Sequence, residues 1–354
     1  MNKLDKIKNQ IVTSDISLIS ALKVMDETRK KMLFVYNTCK FESILTIGDI
    51  QRAIIKKCSL DCPISNILNR EAKIYASKHQ SKDVVRSMMI EERIECMPVL
   101  DEEGNVIDVY FWDDLFSQAK ELSCSQIDLP VVIMAGGKGT RLKPITNVIP
   151  KPLVPIGDKT ILEVIMDQFE DVGCKKFYMS VNYKADMMEY YLSQLDHKYD
   201  IEFFIEDKPL GTIGSVSLLK GKIVTPFFVS NCDSINDQDY REVYDYHVQN
   251  KNDLTIVTTV KSFRIPYGVI ETGEDGIMTA LHEKPGLNYQ VNTGVYILNP
   301  ECIDEIPEGE FFHITHLMEK ITARGGRVGC FPVSEGSWHD MGEWSEYLKM
   351  INVL

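Results

Sequence analysis

The chain of 354 residues contains no apolar run of about 20 residues, the length that a membrane-spanning helix needs. Its N-terminal stretch MNKLDKIKNQ also lacks the apolar segment of a secretory signal peptide. Basic clusters are missing as well, and the formal net charge is −13, so nucleic-acid backbones and anionic membrane surfaces would be repelled. We therefore expect a cytoplasmic protein whose partners include neither nucleic acid nor a membrane.

Cysteine pairs typical of metal or redox motifs are absent too. The nine cysteines include no CxxC pair, which favours reduced and mostly buried thiols. His313 and His316 have the spacing of two ligands on one helix, but the sequence offers no third ligand beside them. Because the chain is acidic overall, an anionic substrate has to be met by local charges, and we expect a metal ion to assist.

A phosphate-binding turn is predicted by residues 131–153, which read VVIMAGGKGTRLKPITNVIPKPL. The stretch begins with an apolar, mostly β-branched run, which predicts a short buried strand. Three glycines follow, at 136, 137 and 139, and they let the backbone adopt positive φ and bring N–H groups close to an anion. Arg141 adds a planar fork of donors, and Lys151, between two prolines, adds a point charge in a stiff loop.

Two widespread phosphate loops do not fit these residues. A Walker loop needs Gly-Lys-Ser/Thr, whereas Gly139 is followed by Thr-Arg. A dinucleotide fingerprint needs a third glycine, and Leu142 occupies that position. The stretch instead resembles the signature of sugar-1-phosphate nucleotidyltransferases, A-G-G-x-G-T-R-L-x-P-x-T followed by P-K-P-L, and both halves of that signature are present.

The resemblance implies an enzyme that transfers a nucleotidyl group from an NTP to a sugar 1-phosphate and releases pyrophosphate. In the family, the residue matching Lys151 contacts the α-phosphate, and the one matching Arg141 steadies the β- and γ-phosphates. The segment PLGTIGS matches a family segment whose first glycine lies against the base. The implied nucleotide contacts are Ala135, Gly136, Gly137, Gly139, Thr140, Arg141 and Gly211.

Two aspartates are implied as ligands of Mg²⁺. Asp233 ends the apolar run PFFVSNCD, and Asp340 lies in SWHDMGEW, which resembles the family's W-x-D-I-G segment. Cys232 stands where the family usually has glycine. Either aspartate could instead be a turn residue, but two hard oxygen ligands together with substrate phosphates suit Mg²⁺. With Arg141 and Lys151, the two aspartates form the predicted catalytic set.

The sugar phosphate is expected to bind further along the chain. The resemblance implies that Lys284 in HEKP contacts its phosphate and that Glu283 hydrogen-bonds sugar hydroxyls. Taken alone, this Glu-Lys pair would indicate an exposed loop. Its position before VNTGVYIL, which resembles the sugar-contacting strand of the family, favours a site instead. The implied sugar-phosphate contacts are Gly268, Glu283, Lys284, Asn292 and Thr293.

The sequence defines the nucleotide and the sugar less well. The phosphate turn and the PLGT segment resemble those of guanylyl- and thymidylyltransferases more than those of uridylyltransferases. A tandem CBS module ahead of such a domain resembles bacterial CBS-linked guanylyltransferases that act on glucosamine 1-phosphate or mannose 1-phosphate. The resemblance therefore favours GTP and an amino-sugar or hexose 1-phosphate. A thymidylyl-, uridylyl- or cytidylyltransferase of the same fold is one alternative. Another is a catalytically inactive nucleotide-sensing scaffold, which would have lost some of five residues that are all present: Arg141, Lys151, Asp233, Lys284 and Asp340.

The N-terminal region contains a weak internal repeat. Leu22 and Met25 in one helical pattern match Val85 and Met88 in a later one, and each pattern leads to an extended run. A β-α-β unit that occurs twice is expected to bury its apolar face against its copy. The region resembles a tandem CBS (Bateman) module, a family that binds adenine nucleotides between its halves and commonly dimerises. AMP or ATP and a homo-oligomer are therefore expected.

In the CBS family, a Thr or Ser and, three residues later, an Asp contact the nucleotide. Thr46 and Asp49 match this pattern in the first half. The second half keeps Asp114 but has Phe111 in place of the hydroxyl, which puts the second of the two nucleotide sites in question. Two alternatives stay open: both aspartates are helix N-caps, or the module is purely structural or oligomerising.

Beyond Pro130, strand and helix patterns alternate, which predicts an α/β domain with a doubly wound, mostly parallel sheet of the Rossmann-like nucleotidyltransferase type. A smaller α/β domain, the CBS pair, is expected to precede it. The predicted boundaries are 1–122 for the CBS pair, 123–129 for a polar linker and 130–354 for the nucleotidyltransferase domain.

Overall fold

A computed structural model describes residues 3–28, 30–38, 40–68, 74–91, 96–111, 126–195 and 199–351. The chain divides into two compact units, Met1–Ser123 and Cys124–Leu354. Helices and strands are numbered below in chain order. Within the described ranges, no helix combines the length and the apolarity that crossing a membrane requires.

The first unit contains two copies of a strand-helix-strand-strand arrangement. The first copy consists of β1 (Ile11–Thr13), α1 (Leu18–Thr28), β2 (Met32–Asn37) and β3 (Lys40–Thr46), and is followed by α2 (Ile47–Ile55). The second consists of β4 (Ala76–Ser77), α3 (Lys82–Glu91), β5 (Cys96–Leu100) and β6 (Val106–Phe111). Two 3₁₀ helices, Lys3–Gln10 and Ile64–Asn66, complete the described elements of this unit.

The two copies share one topology. In each, the first strand pairs in parallel with the second, and the second pairs antiparallel with the third. The copies also pack on one another, since Phe34 and Phe41 of the first share a buried cluster with Cys96 and Val109 of the second. The internal repeat seen in the sequence is therefore also a repeat of the fold, and its halves pack together as expected.

The second unit holds the longer sequence of alternating elements. Its strands are β7 (Val131–Met134), β8 (Pro155–Ile156), β9 (Lys159–Thr160), β10 (Lys176–Val181), β11 (Asp200–Ile205), β12 (Phe227–Asn231), β13 (Ser234–Asn236), β14 (Leu254–Arg264), β15 (Val269–Thr272), β16 (Met278–His282), β17 (Gly286–Leu298), β18 (Val328–Val333) and β19 (Trp338–Asp340). Its α-helices are α4 (Ile145–Val148), α5 (Ile161–Glu170), α6 (Ala185–Ser193), α7 (Tyr240–Gln249), α8 (Ile314–Ala323) and α9 (Trp344–Ile351). The 3₁₀ helices are Thr140–Leu142, Lys151–Leu153, Gly214–Leu219, Glu274–Gly276, Pro300–Glu305 and Glu335–Ser337.

Seven of these strands form one sheet in the order β11-β10-β7-β12-β17-β14-β18. The pairs β11–β10, β10–β7, β7–β12 and β14–β18 are parallel, and β17 runs antiparallel to both of its neighbours. The prediction of a doubly wound, mostly parallel α/β sheet is confirmed. The order of the strands reverses between β7 and β12, and such a switch point opens a crevice at the carboxyl ends of the two strands.

The central strand β7 is apolar because the sheet is covered on both faces. Val131, Val132 and Ile133 are fully buried, and Val132 enters a different core cluster from its two neighbours. Helix α5 begins with a capping box, in which Thr160 Oγ1 accepts from the Glu163 N–H at 3.2 Å and Glu163 Oε2 accepts from the Thr160 N–H at 2.8 Å. The cap fixes where this helix starts, shortly after the phosphate turn.

The outer ends of β14 and β17, together with β15 and β16, form an antiparallel ribbon, defined here as residues 260–291. Ile270 and Leu281 lie opposite each other on β15 and β16 and are 59% and 58% exposed. A two-stranded ribbon is only marginally stable in water by itself. The ribbon is therefore less supported than the seven-stranded sheet from which it extends.

Candidate active site

The predicted phosphate turn follows β7, at the switch point of the sheet. Gly139 has a φ of +60°, and a Cβ there would lie 2.8 Å from Lys151 Cβ and 3.0 Å from Thr146 Cγ2. No side chain fits this gap, so the glycine lets the turn pack directly on the Lys151 segment. Thr146 Oγ1 holds the contact by donating to the Gly139 carbonyl at 2.8 Å.

Lys151 is buried, with 8% of its surface exposed, which is unusual for a lysine unless it is paired. Its ammonium donates a hydrogen bond to Asp233 Oδ2. The Lys151–Leu153 segment is a single 3₁₀ turn preceded by Pro150, whose φ of −65° restricts the loop. The chain itself therefore holds this cation at one position.

A two-stranded sheet joins the segments that carry the two predicted metal-binding aspartates. Strands β13 and β19 pair antiparallel with Ser234 opposite Asp340, and the Met341 N–H donates to the Asp233 carbonyl at 2.8 Å. Trp338 Nε1 donates to Ser234 Oγ at 3.1 Å and supports the same junction. Two carboxylates that are far apart in the chain thus lie on neighbouring segments beside the end of β12.

Arg141 reaches these carboxylates from the glycine turn. Its Nη1 lies 2.5 Å from Glu343 Oε1 and 3.5 Å from Asp340 Oδ2, and its Nη2 lies 3.9 Å from Asp233 Oδ2. The hydrogen bond to Glu343, and then the nearby aspartates, raise the pKa of Arg141 above its ordinary value. The guanidinium therefore carries its charge throughout the physiological pH range.

Gly342 lies among these charged groups. A Cβ at this position would lie 2.7 Å from Lys151 Nζ, 2.8 Å from Arg141 Nη2 and 2.8 Å from Asp340 Oδ1, so no side chain can be added without moving them. The structure brings together all four residues that the sequence predicts to be catalytic: Arg141, Lys151, Asp233 and Asp340.

Glu206, which the sequence analysis missed, lies beside the glycine turn. It is 5% exposed, and its Oε1 would be 3.1 Å from a Cβ on Gly136. Ser180 Oγ donates to Oε1, and the Leu210 N–H donates to Oε2 at 3.1 Å. Both of these donors are uncharged. The signal in the sequence is a lone glutamate at the end of the strand IEFFI, just before PLGT.

The PLGT segment packs against residues 310–312. Gly211 has a φ of +85°, and a Cβ there would lie 2.5 Å from the Phe312 carbonyl oxygen. A Cβ on Gly214 would lie 2.8 Å from the Glu310 carbonyl oxygen. Both glycines are therefore required by close backbone packing. Contact between Gly211 and a base stays a prediction.

The two histidines of the sequence analysis cap a helix. His313 is the N-cap of α8 and precedes it, so the expectation of two histidines on one helix is wrong for His313. The His313 N–H donates to His316 Nδ1 at 3.3 Å, while His313 Nδ1 lies 3.3 Å from Thr212 Oγ1. In the described part of the chain, no group of three or more His, Cys, Asp and Glu side chains could hold a metal ion by itself.

The cysteines of the described residues are free thiols, as predicted. Cys232, which stands where the family usually has glycine, is buried, and burial raises the pKa of its thiol to about 12. Burial has the same effect on Cys174 and Cys302. These thiols stay protonated at neutral pH and serve as packing groups.

The predicted sugar contacts lie on and beside the ribbon. Glu283 Oε2 would be 3.2 Å from a Cβ on Gly268, so these two positions are adjacent in space. Lys284 has a φ of +47°, a backbone conformation that lysine rarely adopts. Asn292 is held by two bonds, since its Nδ2 donates to the Tyr296 hydroxyl at 2.7 Å and its Oδ1 accepts from the Gly294 N–H at 2.9 Å.

Thr293 differs from the other predicted sugar contacts. It is 3% exposed, and its hydroxyl donates to the Val257 carbonyl at 2.9 Å. Its own carbonyl accepts a hydrogen bond from Ser234 Oγ. These bonds link the predicted sugar strand to the residue after Asp233. A contact between Thr293 and the sugar stays a prediction.

In the first unit, Thr46 is the N-cap of α2 and Asp49 is the third residue of that helix. Asp49 Oδ2 accepts from the Thr46 N–H and hydroxyl, each at 2.8 Å, and Asp49 Oδ1 accepts from Arg52 Nη2 at 2.5 Å. The two residues form a capping box in which Thr46 is the N-cap, so the alternative that Asp49 is itself the N-cap is wrong. Nucleotide contact by Thr46 and Asp49 stays a prediction. Asp114 lies outside the described residues. A cleft beside this helix is lined by Asp49, Arg52, Ala53, Lys56, Cys58, Asn66 and Ile67.

Residues 130–354 match the family model for nucleotidyl transferases, and this match spans more than half of the chain, so the chain belongs to the nucleotidyl transferase family. A mannose-1-phosphate guanyltransferase of Pichia angusta is 34% identical over 228 residues, which are 62% of this chain and 62% of the relative. A mannose-1-phosphate guanylyltransferase catalytic subunit beta of Drosophila melanogaster is 33% identical over 230 residues, covering 61% of this chain and 60% of the relative. The chain thus spans less than two thirds of the length of these curated relatives.

Solved structures of HddC from Yersinia pseudotuberculosis are similar to this chain. One has a TM-score of 0.51 at 29% identity and covers 64% of this chain and 99% of HddC. Another, a complex of HddC with GMP-PN, has a TM-score of 0.50 at 27% identity with the same coverage. The likeness agrees with the mixed α/β fold and the mostly parallel sheet described above.

Proposed function

We propose that this chain is a sugar-1-phosphate guanylyltransferase, which transfers GMP from GTP to an amino-sugar or hexose 1-phosphate and releases pyrophosphate. The observation that carries the proposal is the convergence of Arg141, Lys151, Asp233 and Asp340 at the switch point. The similarity to mannose-1-phosphate guanylyltransferases supports guanine as the base and a hexose phosphate as the acceptor.

The reaction brings two polyanions together, so positioning and charge neutralisation supply the catalysis. Lys151 and Arg141 would exchange their carboxylate partners for phosphate oxygens, Lys151 at the α-phosphate and Arg141 at the β- and γ-phosphates. The attacking oxygen of the sugar phosphate is already ionised, so no general base is needed. Holding that oxygen in line with the leaving pyrophosphate can lower the activation free energy by roughly 7–11 kcal/mol.

The donor atoms beside these cations fit Mg²⁺. Asp233 and Asp340 supply hard carboxylate oxygens, and Mg²⁺ usually takes one or two protein carboxylates and completes its shell with water and substrate phosphates. When bound, Mg²⁺ would neutralise the negative charge that develops on the phosphates. A site that depends on substrate phosphates in this way does not require a third protein ligand.

The sugar 1-phosphate is assigned to the exposed ribbon and the strand that continues from it. Lys284 would pair with its phosphate, and Glu283 would accept hydrogen bonds from sugar hydroxyls beside Gly268. Asn292 is held in one orientation by its two bonds and would present its amide to the sugar.

Glu206 provides a physical reason for guanine. A carboxylate presents two acceptor oxygens side by side, and the pairing edge of guanine presents two donors side by side, N1–H and N2–H. Uracil, thymine, cytosine and adenine each place a donor next to an acceptor on that edge. Glu206 lies between the glycine turn and the PLGT segment, and its two uncharged protein donors leave lone pairs on both oxygens.

The test is pyrophosphate release from the four NTPs and dTTP, each paired with several sugar 1-phosphates in the presence of Mg²⁺. GTP with a hexose or amino-sugar phosphate is expected to react fastest. Glu206→Gln replaces one acceptor with a donor and should lower the preference for GTP over UTP about 10- to 100-fold, as expected for a hydrogen bond to a charged group.

Glu202→Gln is the matched control, since Glu202 lies on β11, the strand that Glu206 follows, and pairs with Lys222 at 2.6 Å. It should leave base selectivity unchanged. Equal selectivity in the wild type and Glu206→Gln would remove Glu206 as the base reader. Absence of turnover with every pair would favour the inactive, nucleotide-sensing scaffold.

We further propose that the first unit is a CBS-type regulatory module that binds AMP or ATP and supports a homo-oligomer. The repeated topology and the cleft lined by Asp49, Arg52 and Lys56 favour this reading. AMP or ATP should raise the melting temperature of the full chain, and Lys56→Gln should weaken that effect while Lys57→Gln, outside the cleft lining, should not. Light scattering measures the oligomeric state with and without nucleotide.

A further inference from the structure

Glu343 holds the guanidinium group that the triphosphate is proposed to use. Glu343 Oε1 lies 2.5 Å from Arg141 Nη1, whereas the aspartate contacts of Arg141 are longer, at 3.5 and 3.9 Å. The shortest contact of Arg141 is therefore made with a carboxylate outside the catalytic set.

The backbone around Glu343 is fixed at the start of α9. The Glu343 N–H donates to the Asp340 carbonyl at 3.3 Å, and the Glu343 carbonyl accepts from the Tyr347 N–H at 3.0 Å. The neighbouring Trp344 donates from its Nε1 to the Lys143 carbonyl at 3.2 Å, which ties the same helix to the phosphate turn. These bonds keep the Glu343 carboxylate within reach of Arg141.

We propose that Glu343 is a positioning residue that competes with the substrate phosphates for Arg141, and so weakens the binding of both GTP and the product pyrophosphate. This inference rests on the proposed function. Both partners are about half exposed, with 53% of the Arg141 side chain and 49% of the Glu343 side chain accessible. Water can therefore hydrate both charged groups when the pair opens, so the exchange of Glu343 for a phosphate costs little free energy.

Weaker binding of pyrophosphate has a catalytic use. Arg141 is assigned to the β- and γ-phosphates, which become the leaving pyrophosphate, so any group that competes for Arg141 also favours release of that product. Binding that tightens the substrate and the transition state equally would lower KM without raising kcat. Glu343 thus lowers the affinity for GTP and speeds the release of pyrophosphate, in both cases by competing for Arg141.

The experiment measures binding of pyrophosphate to the full chain by calorimetry in the presence of Mg²⁺. Glu343→Gln should lower the Kd by about 2- to 5-fold, the range expected for the loss of one exposed competing ion pair. Glu343→Asp keeps the charge but is one methylene shorter, so it should also lower the Kd if the contact matters. In an Arg141→Gln background, Glu343→Gln should leave the Kd for pyrophosphate unchanged, because the guanidinium for which Glu343 competes is absent.

Glu346→Gln is the control for charge alone, since Glu346 lies on the same helix and pairs with Lys349 at 2.7 Å. Its Kd for pyrophosphate should match that of the wild type. An unchanged or raised Kd in Glu343→Gln, or the same change in the Arg141→Gln background, overturns the inference while leaving the proposed function intact. A wild-type chain that binds neither GTP nor pyrophosphate overturns both.

Discussion

The two halves of the candidate site differ in how the fold supports them. The triphosphate half comprises Arg141, Lys151, Asp233 and Asp340 and lies at the switch point of a seven-stranded sheet, where Lys151 is 8% exposed. The sugar half comprises Gly268, Glu283 and Lys284 and lies on the ribbon, where the neighbouring Tyr267 is 74% exposed. The proposed triphosphate contacts thus rest on a buried scaffold, while the proposed sugar contacts rest on an element that can vary without disturbing the core.

The reason for the difference is the number of neighbours that each strand has. Strands β7 and β12 are flanked on both sides and covered on both faces, so the residues that follow them start from rigid positions. The ribbon strands β15 and β16 pair with each other in a separate two-stranded sheet, and their side chains are mostly exposed. This comparison separates substitutions that should affect chemistry from those that should affect the choice of sugar.

The largest effect is expected for Asp233→Asn in the triphosphate half. The substitution removes the charge that pairs with Lys151 and that is proposed to help hold Mg²⁺. The value of kcat/KM for pyrophosphate release should fall about 10²- to 10³-fold, the range for losing one preorganised electrostatic group. The melting temperature should fall as well, because the buried ammonium of Lys151 loses its charged partner.

The matched control is Asp239→Asn, which makes the same substitution at the N-cap of α7. Asp239 Oδ1 accepts from the Arg241 N–H at 2.9 Å, and asparagine is an equally good N-cap. Its activity should equal that of the wild type. An Asp233→Asn variant with wild-type activity would break the comparison, because the buried half would then contribute no chemistry.

An intermediate effect is expected for Glu283→Gln in the sugar half. Loss of the charge-assisted bonds to the sugar should raise the KM for the sugar phosphate about tenfold and leave the KM for GTP unchanged. Steady-state kinetics with each substrate varied in turn measures the split. Glu274→Gln, at the tip of the same ribbon, is the control and should change neither constant. Equal effects on both KM values would mean that the two halves do not act separately.

The smallest effect is expected on stability, at the buried ends of the strands that carry the ribbon. His247 lies 2.9 Å from Thr255 Oγ1 at the start of β14 and 3.1 Å from Asn299 Oδ1 just after β17. Burial lowers the pKa of His247 below its ordinary value of 6.5, against smaller opposing contributions from Asn299 and Asp253. His247 therefore binds a proton more weakly in the folded state than in the unfolded chain.

The contribution of His247 to stability is complete above pH 6.5 and is lost as the pH falls through the lowered pKa of the folded state. The melting temperature of the wild type should fall more between about pH 7 and pH 5 than that of His247→Gln, which has no such proton to bind. Calorimetry at several pH values measures how steeply the melting temperature of each protein changes with pH. An equal pH dependence in the two proteins would show that protonation of His247 does not affect the stability of the fold.

Sequence reasoning failed where one residue type serves two purposes. Asp49 and Asp233 both follow apolar strand patterns, yet Asp49 bonds to its own helix cap while Asp233 pairs with a lysine from another segment. Glu206 and Glu343 give only a weak local signal, because a glutamate near a turn is usually a solvated surface residue. Nothing in the sequence indicates that the hydroxyl of Thr293, an implied sugar contact, donates to a carbonyl of the neighbouring strand.

The sequence by itself determined the class of the fold and the phosphate turn after β7, because glycine, proline and apolar periodicity act locally along the chain. The four residues that meet beside this turn were implied by the resemblance to sugar-1-phosphate nucleotidyltransferases. Only the tertiary structure decided which carboxylates reach which cations. The pairing of β13 with β19 joins the segments of Asp233 and Asp340, and the start of α9 gives Arg141 a competing partner in Glu343. Such contacts follow from how distant strands and helices pack, and no local pattern in the chain specifies them.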